Sequence, residues 1–327
     1  MKAIVQHAYG PPGQVLRLED LPDPEPGPGE ITVTTVAAAV NPADWHIVGG
    51  EPGLIRLAEG LRRPRQRIPG WDVAGRVRAV GEGVTSHQVG DRVIGYLWKQ
   101  GSGTFAETVI GPAQRFVRAP QTWSDEEAAG LPLAGVTALQ GLRVGGVTEG
   151  SRVLIVGASG GVGSFAVPLA RHLGAELVTG VCGPDSVERV RSVGAHRVID
   201  HTAEAWATGG DHDVVLHLGG SASASTAARA LRRGGVVVES SGEGGGRVLG
   251  PLPRLLGGRL RSMLTRRYRV TMLSAGADRE DMELLVRLAD EGVLTPFVER
   301  TWSLVDAPAA ISHVRTAHTK GKVVLVP

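Results

Sequence analysis

Residues Val153–Ala175, VLIVGASGGVGSFAVPLARHLGA, run from a short apolar, β-branched segment through a glycine-rich turn into a helical segment. Strand, glycine turn and helix together form the setting in which bare backbone N–H groups and the positive end of a helix dipole bind a pyrophosphate. The same string also suits a sharp turn that binds nothing. Its spacing, Gly157-x-x-Gly160-x-x-Gly163 with Gly161 added, meets the GxGxxG fingerprint only in part.

The segments C-terminal to the turn decide between these readings. The runs ELVTGVC, HRVID, DVVLHLGG and GVVVESSG are short, apolar and separated by helical segments such as SVERVRSVGA. Strands of this texture, buried on both faces and joined by helices, predict a parallel doubly wound sheet, the fold in which such a turn serves a nucleotide. Two rival glycine-loop folds fail on the residues. An NTPase loop needs Lys-Ser/Thr after its last glycine, and Gly163 is followed by Ser164-Phe165. A short-chain dehydrogenase opens with its glycine turn and carries Tyr-x-x-x-Lys; here some 150 residues come first, and none of Tyr9, Tyr96 and Tyr268 has lysine four residues on.

Upstream of the turn the chain is β-rich. KAIVQH, QVLRLED, ITVTTVAA, VAGRVRAVGEGV, DRVIGYLW and TFAETVIGP are strand-like runs broken by Pro/Gly turns, which predicts a partly open β-barrel. GEPGLIRLAEGLRRPRQRIPG between them reads as a short basic helix or lid. Ser124, with Glu127 three residues on, marks a capping box ahead of an apolar helix. The tail TPFVERTWSLVDAPAAISHVRTAHTKGKVVLVP offers strand, helix and strand that return to the first domain. The expected organisation is α/β: residues 1–122 with 295–327 as one domain, and 123–294 as the nucleotide-binding domain.

A 327-residue chain with 42% hydrophobic and 21% charged residues buries two cores, and a net charge of +2 lacks the electrostatic footprint of a nucleic-acid binder. The single cysteine, Cys182, excludes an intrachain disulfide and any multi-cysteine zinc site. MKAIVQHAYG has no apolar core of signal-peptide length and no run approaches a membrane span, so a cytoplasmic protein with no membrane partner is expected. Leu252, Leu256, Leu260 and Met263/Leu264 share one helical face among arginines; the pattern suits membrane-surface binding or, as the favoured expectation, a basic surface helix near the cofactor cleft or a dimer seam.

Over its whole length the chain resembles the medium-chain dehydrogenase/reductase superfamily, in its zinc-independent, quinone oxidoreductase-like branch. The matching stretches are VNPADWH (Asn41, Pro42, Asp44), PGWDVAGRVRAVGEGV, GDRVIG, GTFAE, LPLAGVTAL with Thr137, VLIVGASGGVG and GKVVL. The resemblance implies a GroES-like catalytic domain built from both chain ends beside a Rossmann domain, with nicotinamide in the cleft between them. Zinc-dependent members carry Cys at the position of Asn41 and His-Glu at Trp71-Asp72, so no metal site is expected. His7 and His46 are isolated and read as surface or packed residues.

The second strand of the sheet ends Val181-Cys182-Gly183, where an acidic residue would hold the ribose of NAD; a small neutral residue there favours NADPH. Asp185 and His201, where relatives carry a basic turn and Tyr, leave NADH open. The resemblance implies cofactor contacts from Asn41, Thr137, Ser159, Gly160, Gly161, Val162, Gly163, Cys182, Ser186, Arg189, His201, Leu218, Gly219, Ser240, Ser241 and Lys322. It implies hydride transfer to an enone or quinone, with secondary metabolism as one setting, and with Asn41, Asp44, Tyr96 and Lys99 as candidate catalytic groups. Asp44 equally suits a local Asx-type turn, and Tyr96 and Lys99 a solvated loop. A redox-neutral cyclase or lyase, motivated by His217, Trp71, the Pro184-Asp185 turn and His201, and a nucleotide-binding protein with little catalysis stay open as alternatives. The expected partners are a small-molecule substrate and a second copy of the chain, joined along Tyr268–Ser274.

Overall fold

A computed structural model describes residues 1–98, 100–240, 246, 248–250, 252–316 and 319–327. Lys99 and Ser241, two of the expected site residues, lie outside the described residues. In chain order the strands are β1 (Lys2–Gln6), β2 (Leu16–Asp20), β3 (Glu30–Val40), β4 (Asp72–Val80), β5 (Arg92–Tyr96), β6 (Thr108–Pro112) and β7 (Phe116–Arg118). They continue as β8 (Arg152–Val156), β9 (Leu177–Cys182), β10 (Arg197–Asp200), β11 (His212–His217), β12 (Leu231–Glu239), β13 (Arg269–Met272), β14 (Val298–Ser303) and β15 (Lys322–Val326). The chain divides into two compact units, Met1–Val136 with Ala277–Gly292 and Pro296–Pro327, and Thr137–Gly276 with Val293–Thr295.

In the first unit β3 is the hub. It pairs antiparallel with β4 along most of its length, with β6 at its start and with β15 at Ala38–Val40. The sheet runs β14-β15-β3-β4-β5-β7 with β6 off that path. Ile31, Val33, Val73, Val93, Val109 and Phe116 fill one core. A second core joins Ile4, Val40 and Phe105 to Leu304, Ile311, Val323 and Leu325, so the tail closes onto the first domain, the GroES-like barrel.

This unit takes in more chain than the expected boundary at residue 122 allows. Residues 123–136 and 277–292 group with it. The capping box at Ser124 forms, with the Ser124 hydroxyl accepting from Glu127 N–H at 3.2 Å and Glu127 accepting from Ser124 N–H at 2.8 Å. The helix Arg279–Asp290 is tied to β7 and the strand's exit, through Arg279 to the Phe116 carbonyl at 3.4 Å and Gln121 N–H to Asp290 at 2.7 Å. The stretch read as a basic helix or lid holds one short helix, Ile55–Glu59. Tyr96 is a correction to the loop reading: it is the last residue of β5 and 2% exposed, because register pairs it with Asp72 in β4.

The second unit is a six-stranded sheet of order β10-β9-β8-β11-β12-β13, parallel at every pairing. The first three strands build outward from β8 and the next three from its other side, so direction reverses between β8 and β11. Open sheets of this kind bind ligands over the strand C-termini at that reversal. Leu154, Val181, Val215 and Val237 supply the alternating apolar positions of one buried face. No described helix is long and apolar enough to cross a membrane.

Candidate active site

In the second unit the glycine turn lies at the C-terminus of β8 and opens the helix Gly161–His172. Gly157 has φ +86°, in the left-handed region, and a Cβ on Gly163 would sit 2.2 Å from the Gly157 carbonyl oxygen. The turn therefore needs glycine at 157 and 163. Gly160 is different: a Cβ there would meet the Gly157 oxygen at an ordinary 3.5 Å. Gly160 is the helix N-cap with no side-chain cap, so the bare residue leaves the helix N-terminus open to an anion. The cradle fits a dinucleotide pyrophosphate.

Other expected cofactor residues gather around this turn. Leu218 and Gly219 follow β11, and a Cβ on Gly157 would lie 3.3 Å from Gly219 N and 3.6 Å from Leu218 Cβ. Ser240 follows β12 and donates its N–H to the His217 carbonyl at 3.0 Å. Arg189 donates to the Ser159 carbonyl at 3.0 Å, which sets a guanidinium against the turn. His201 N–H donates to the Cys182 carbonyl at 3.1 Å, placing its ring beside Gly183. Cys182 is 3% exposed; burial, then the Asp200 charge, pushes its thiol pKa up, as suits a packing residue. Ser186 is buried, and Thr137 is buried in the helix Pro132–Gly145.

His217 ends β11 and is wholly buried, its Nδ1 3.0 Å from Glu239 Oε2 at the end of β12. Its other ring nitrogen and Glu239 Oε1 have no hydrogen-bond partner among the described residues. The side chain is enclosed in the sheet layer beside Trp206, with ring centroids 6.1 Å apart.

The first unit brings together residues from four distant segments. Asn41 caps the helix Pro42–Gly49, and Asp44 accepts the Asn41 N–H at 2.7 Å, so Asp44 does make the local capping contact. Asn41 Nδ2 donates to Asp72 at 3.0 Å, and Lys322 Nζ donates to Asn41 Oδ1 at 2.5 Å and lies 3.8 Å from Asp72. Asp72 also accepts the Leu133 N–H at 3.1 Å. All four side chains are buried. Lys322, expected at the cofactor, is thus fixed inside this cluster. The chain has four lysines against thirty-one arginines, yet the buried cation is a lysine. Lys322 packs its stem against Gly130, whose added Cβ would meet Lys322 Cγ at 3.1 Å.

Burial dominates the electrostatics. Desolvation, opposed by the Asn41 N–H and reinforced by the Asp72 charge, pushes Asp44 up to about 7. Desolvation likewise pushes Asp72 up to about 6, against the pull of Lys322, while burial lowers Lys322 itself. Burial and the two carboxylates hold the Tyr96 hydroxyl protonated, raising its pKa.

Asp44 also lines a narrow pocket with Gln6, Ile47, Gln66, Trp71 and Trp98. The two indoles lie 5.7 Å apart, tilted 40°. The space in this pocket open to a water-sized group is small, about 20 Å³, enough for a water or a carbonyl oxygen beside Asp44. Sequence reading missed Trp98 and the indole pair, and it missed Lys322 as the partner of Asn41; no spacing signal links residues 281 apart. His7 pairs with Glu19, and His46 bonds the Glu51 carbonyl at 2.8 Å, so both are structural.

A carboxamide, an indole and one carboxylate already facing an ammonium do not form a zinc donor set. Among the described residues no group of three or more His, Cys, Asp or Glu is arranged to hold a metal.

Residues 27–121 match the family described as "Alcohol dehydrogenase GroES-like domain", and residues 193–325 that described as "Zinc-binding dehydrogenase". The chain is 32% identical to the chloroplast envelope quinone oxidoreductase homolog of Arabidopsis thaliana, covering 100% of this chain and 98% of that one. It is 30% identical to a 2-haloacrylate reductase of Burkholderia, covering 100% and 99%. Among solved structures, the quinone oxidoreductase from Coxiella burnetii superposes with a TM-score of 0.87 at 28% identity, covering 100% and 99%. With both halves of the fold, the open glycine turn and full-length relatives of this kind, the chain belongs to the medium-chain dehydrogenase/reductase family as an oxidoreductase of its quinone oxidoreductase-like branch.

Proposed function

We propose that the protein reduces an α,β-unsaturated carbonyl or a quinone with NADPH and without zinc. The observation that carries this reading is the buried Asn41–Asp72–Lys322 cluster beside Asp44, a hydrogen-bonded proton site standing where zinc-dependent relatives hold their metal. The activated alkene named for the Burkholderia relative supports the substrate class.

Nicotinamide, when bound, supplies the hydride. The N–H groups of Gly161, Val162 and Gly163 would hold its pyrophosphate, with Leu218–Gly219 and Ser240 at the adjoining strand ends. Arg189, and the absence of an acid at the Cys182 position, support a 2′-phosphate.

Reduction of a conjugated carbonyl leaves negative charge on oxygen and requires one proton. Asp44, half-protonated near neutrality, faces a pocket with room for an oxygen atom. It is the proton source we assign, with Trp71 and Trp98 lining the same pocket. Asn41 cannot serve as a free donor: both of its side-chain N–H bonds are directed inward, to Asp72 and to the Ala39 carbonyl. It positions the cluster. His217, one of the residues that motivated a redox-neutral reading, is wholly buried and paired with Glu239. A homodimer along β13, which stands at the edge of its sheet, belongs to the same proposal.

Titration with NADPH and, separately, NADH, followed by tryptophan quenching and nicotinamide emission, tests the cofactor; turnover of an enone and quinone panel tests the reaction. Tighter NADPH binding with turnover is expected. Binding of neither nucleotide, or stoichiometric zinc in the active protein, would overturn the reading.

A further inference from the structure

The helix Leu252–Thr265 carries its apolar residues on the wrong side for a core. Leu255 and Ser262 face inward, buried. Leu256, Leu260, Met263 and Leu264 are 61%, 60%, 66% and 76% exposed, and their spacing sets them on one continuous solvent-facing stripe. At 100° per residue, Arg259 falls on one flank of that stripe and Arg261 on the other. Both are exposed, as are Arg266, Arg267 and Arg269 just beyond the helix. From residue 244 to residue 277 the sequence has seven arginines and no acidic residue.

We propose that this helix docks the protein onto an anionic lipid surface, lying in the plane of the interface. The pattern matches what that solvent requires: an apolar centre that enters the acyl boundary, and long cationic side chains at its edges that reach back to the headgroups. The charge also argues against a second copy of the chain as the occupant. A two-fold contact of this helix with its own equivalent would set Arg259 and Arg261 against their equivalents, and residues 244–277 supply no acid to them. The proposal does not depend on the reaction catalysed.

Flotation of the full-length protein with phosphatidylcholine vesicles, and with phosphatidylcholine–phosphatidylserine vesicles at about 7:3, tests it. Binding is expected to the anionic vesicles, to fall as salt rises, and to weaken about fivefold for each of Arg259→Gln and Arg261→Gln. The triple variant Leu256→Ser, Leu260→Ser, Leu264→Ser is expected to lose binding to them while keeping its circular dichroism and its nucleotide titration. Absence of binding to anionic vesicles overturns the proposal, as does binding that the triple variant retains. If the triple variant instead converts a dimer to a monomer by sedimentation velocity, the stripe is an interface between copies and the proposal falls.

Discussion

The glycine turn of the second unit and the polar cluster of the first are two different ways of building a site. The turn is made by backbone within one stretch of seven residues, and its chemistry comes from N–H groups that side chains would only obstruct. The cluster is made by side chains from Asn41, Asp44, Asp72 and Lys322, joined only once β3, β4 and β15 lie side by side. A site of the first kind is vulnerable to added atoms. One of the second kind is vulnerable to lost ones.

The sharpest test of that contrast is Lys322→Met, which leaves Asp72 and Asn41 Oδ1 buried without their cation. Breaking a buried ion pair from one side costs about 3–5 kcal/mol, and a loss of that order in urea unfolding is expected. Unchanged stability would show that the cluster is not held by charge. Gly163→Val should act through the opposite cause, since its Cβ would strike the Gly157 oxygen. Overpacking of about 1–3 kcal/mol is expected together with loss of nucleotide binding. Its partner Gly160→Ala has room for the methyl group, so the fold should be kept while nucleotide binding weakens about tenfold through the covered helix N-terminus, read by the same titration. Equal effects of the two glycine variants would erase the distinction between a glycine that shapes the turn and one that leaves it open.

Asp44→Asn probes the proton. A carboxyl raised from its ordinary value to about 7 binds more protons folded than unfolded. Its contribution to stability is therefore full below about pH 4 and is lost as pH rises to about 7, a span on the order of 2–4 kcal/mol. The Asn variant should show a flatter melting temperature between those limits, with Asp72 supplying the remaining slope. It should also lose the decline in turnover above pH 7 that a protonated Asp44 implies. The smallest expected effect is that of Ser124→Ala, which removes one cap at about 1 kcal/mol and should leave nucleotide binding untouched.

Legibility in the sequence divides along the same line. The glycine turn, the alternating strands and the returning tail could be read because each is a local pattern repeated at the period of its secondary structure. Asn41 and Asp44 were legible as separate site candidates, and Asp44 also as a local turn, but not as partners through the Asn41 N–H. The role of Lys322 was not, because a strand-to-strand register decides it and nothing in GKVVL encodes which residue lies opposite. Tyr96 was misplaced for a related reason: its glycine-rich neighbours read as loop, while pairing with Asp72 extends β5 to include it. The exposed leucines of the Leu252–Thr265 helix were visible as a stripe, but the direction the stripe faces is set by the burial of Leu255 and Ser262 on the helix's other side.

Asn41 is the only asparagine in the 327 residues, and Pro42 occupies the first position of its helix, directly after it. Spontaneous deamidation begins when the backbone nitrogen of the next residue attacks the asparagine carboxamide, and proline has no N–H with which to do so. The residue that fixes the polar cluster is therefore shielded from the commonest chemical ageing of its type. The same proline that pre-sets the helix gives the site its shelf life.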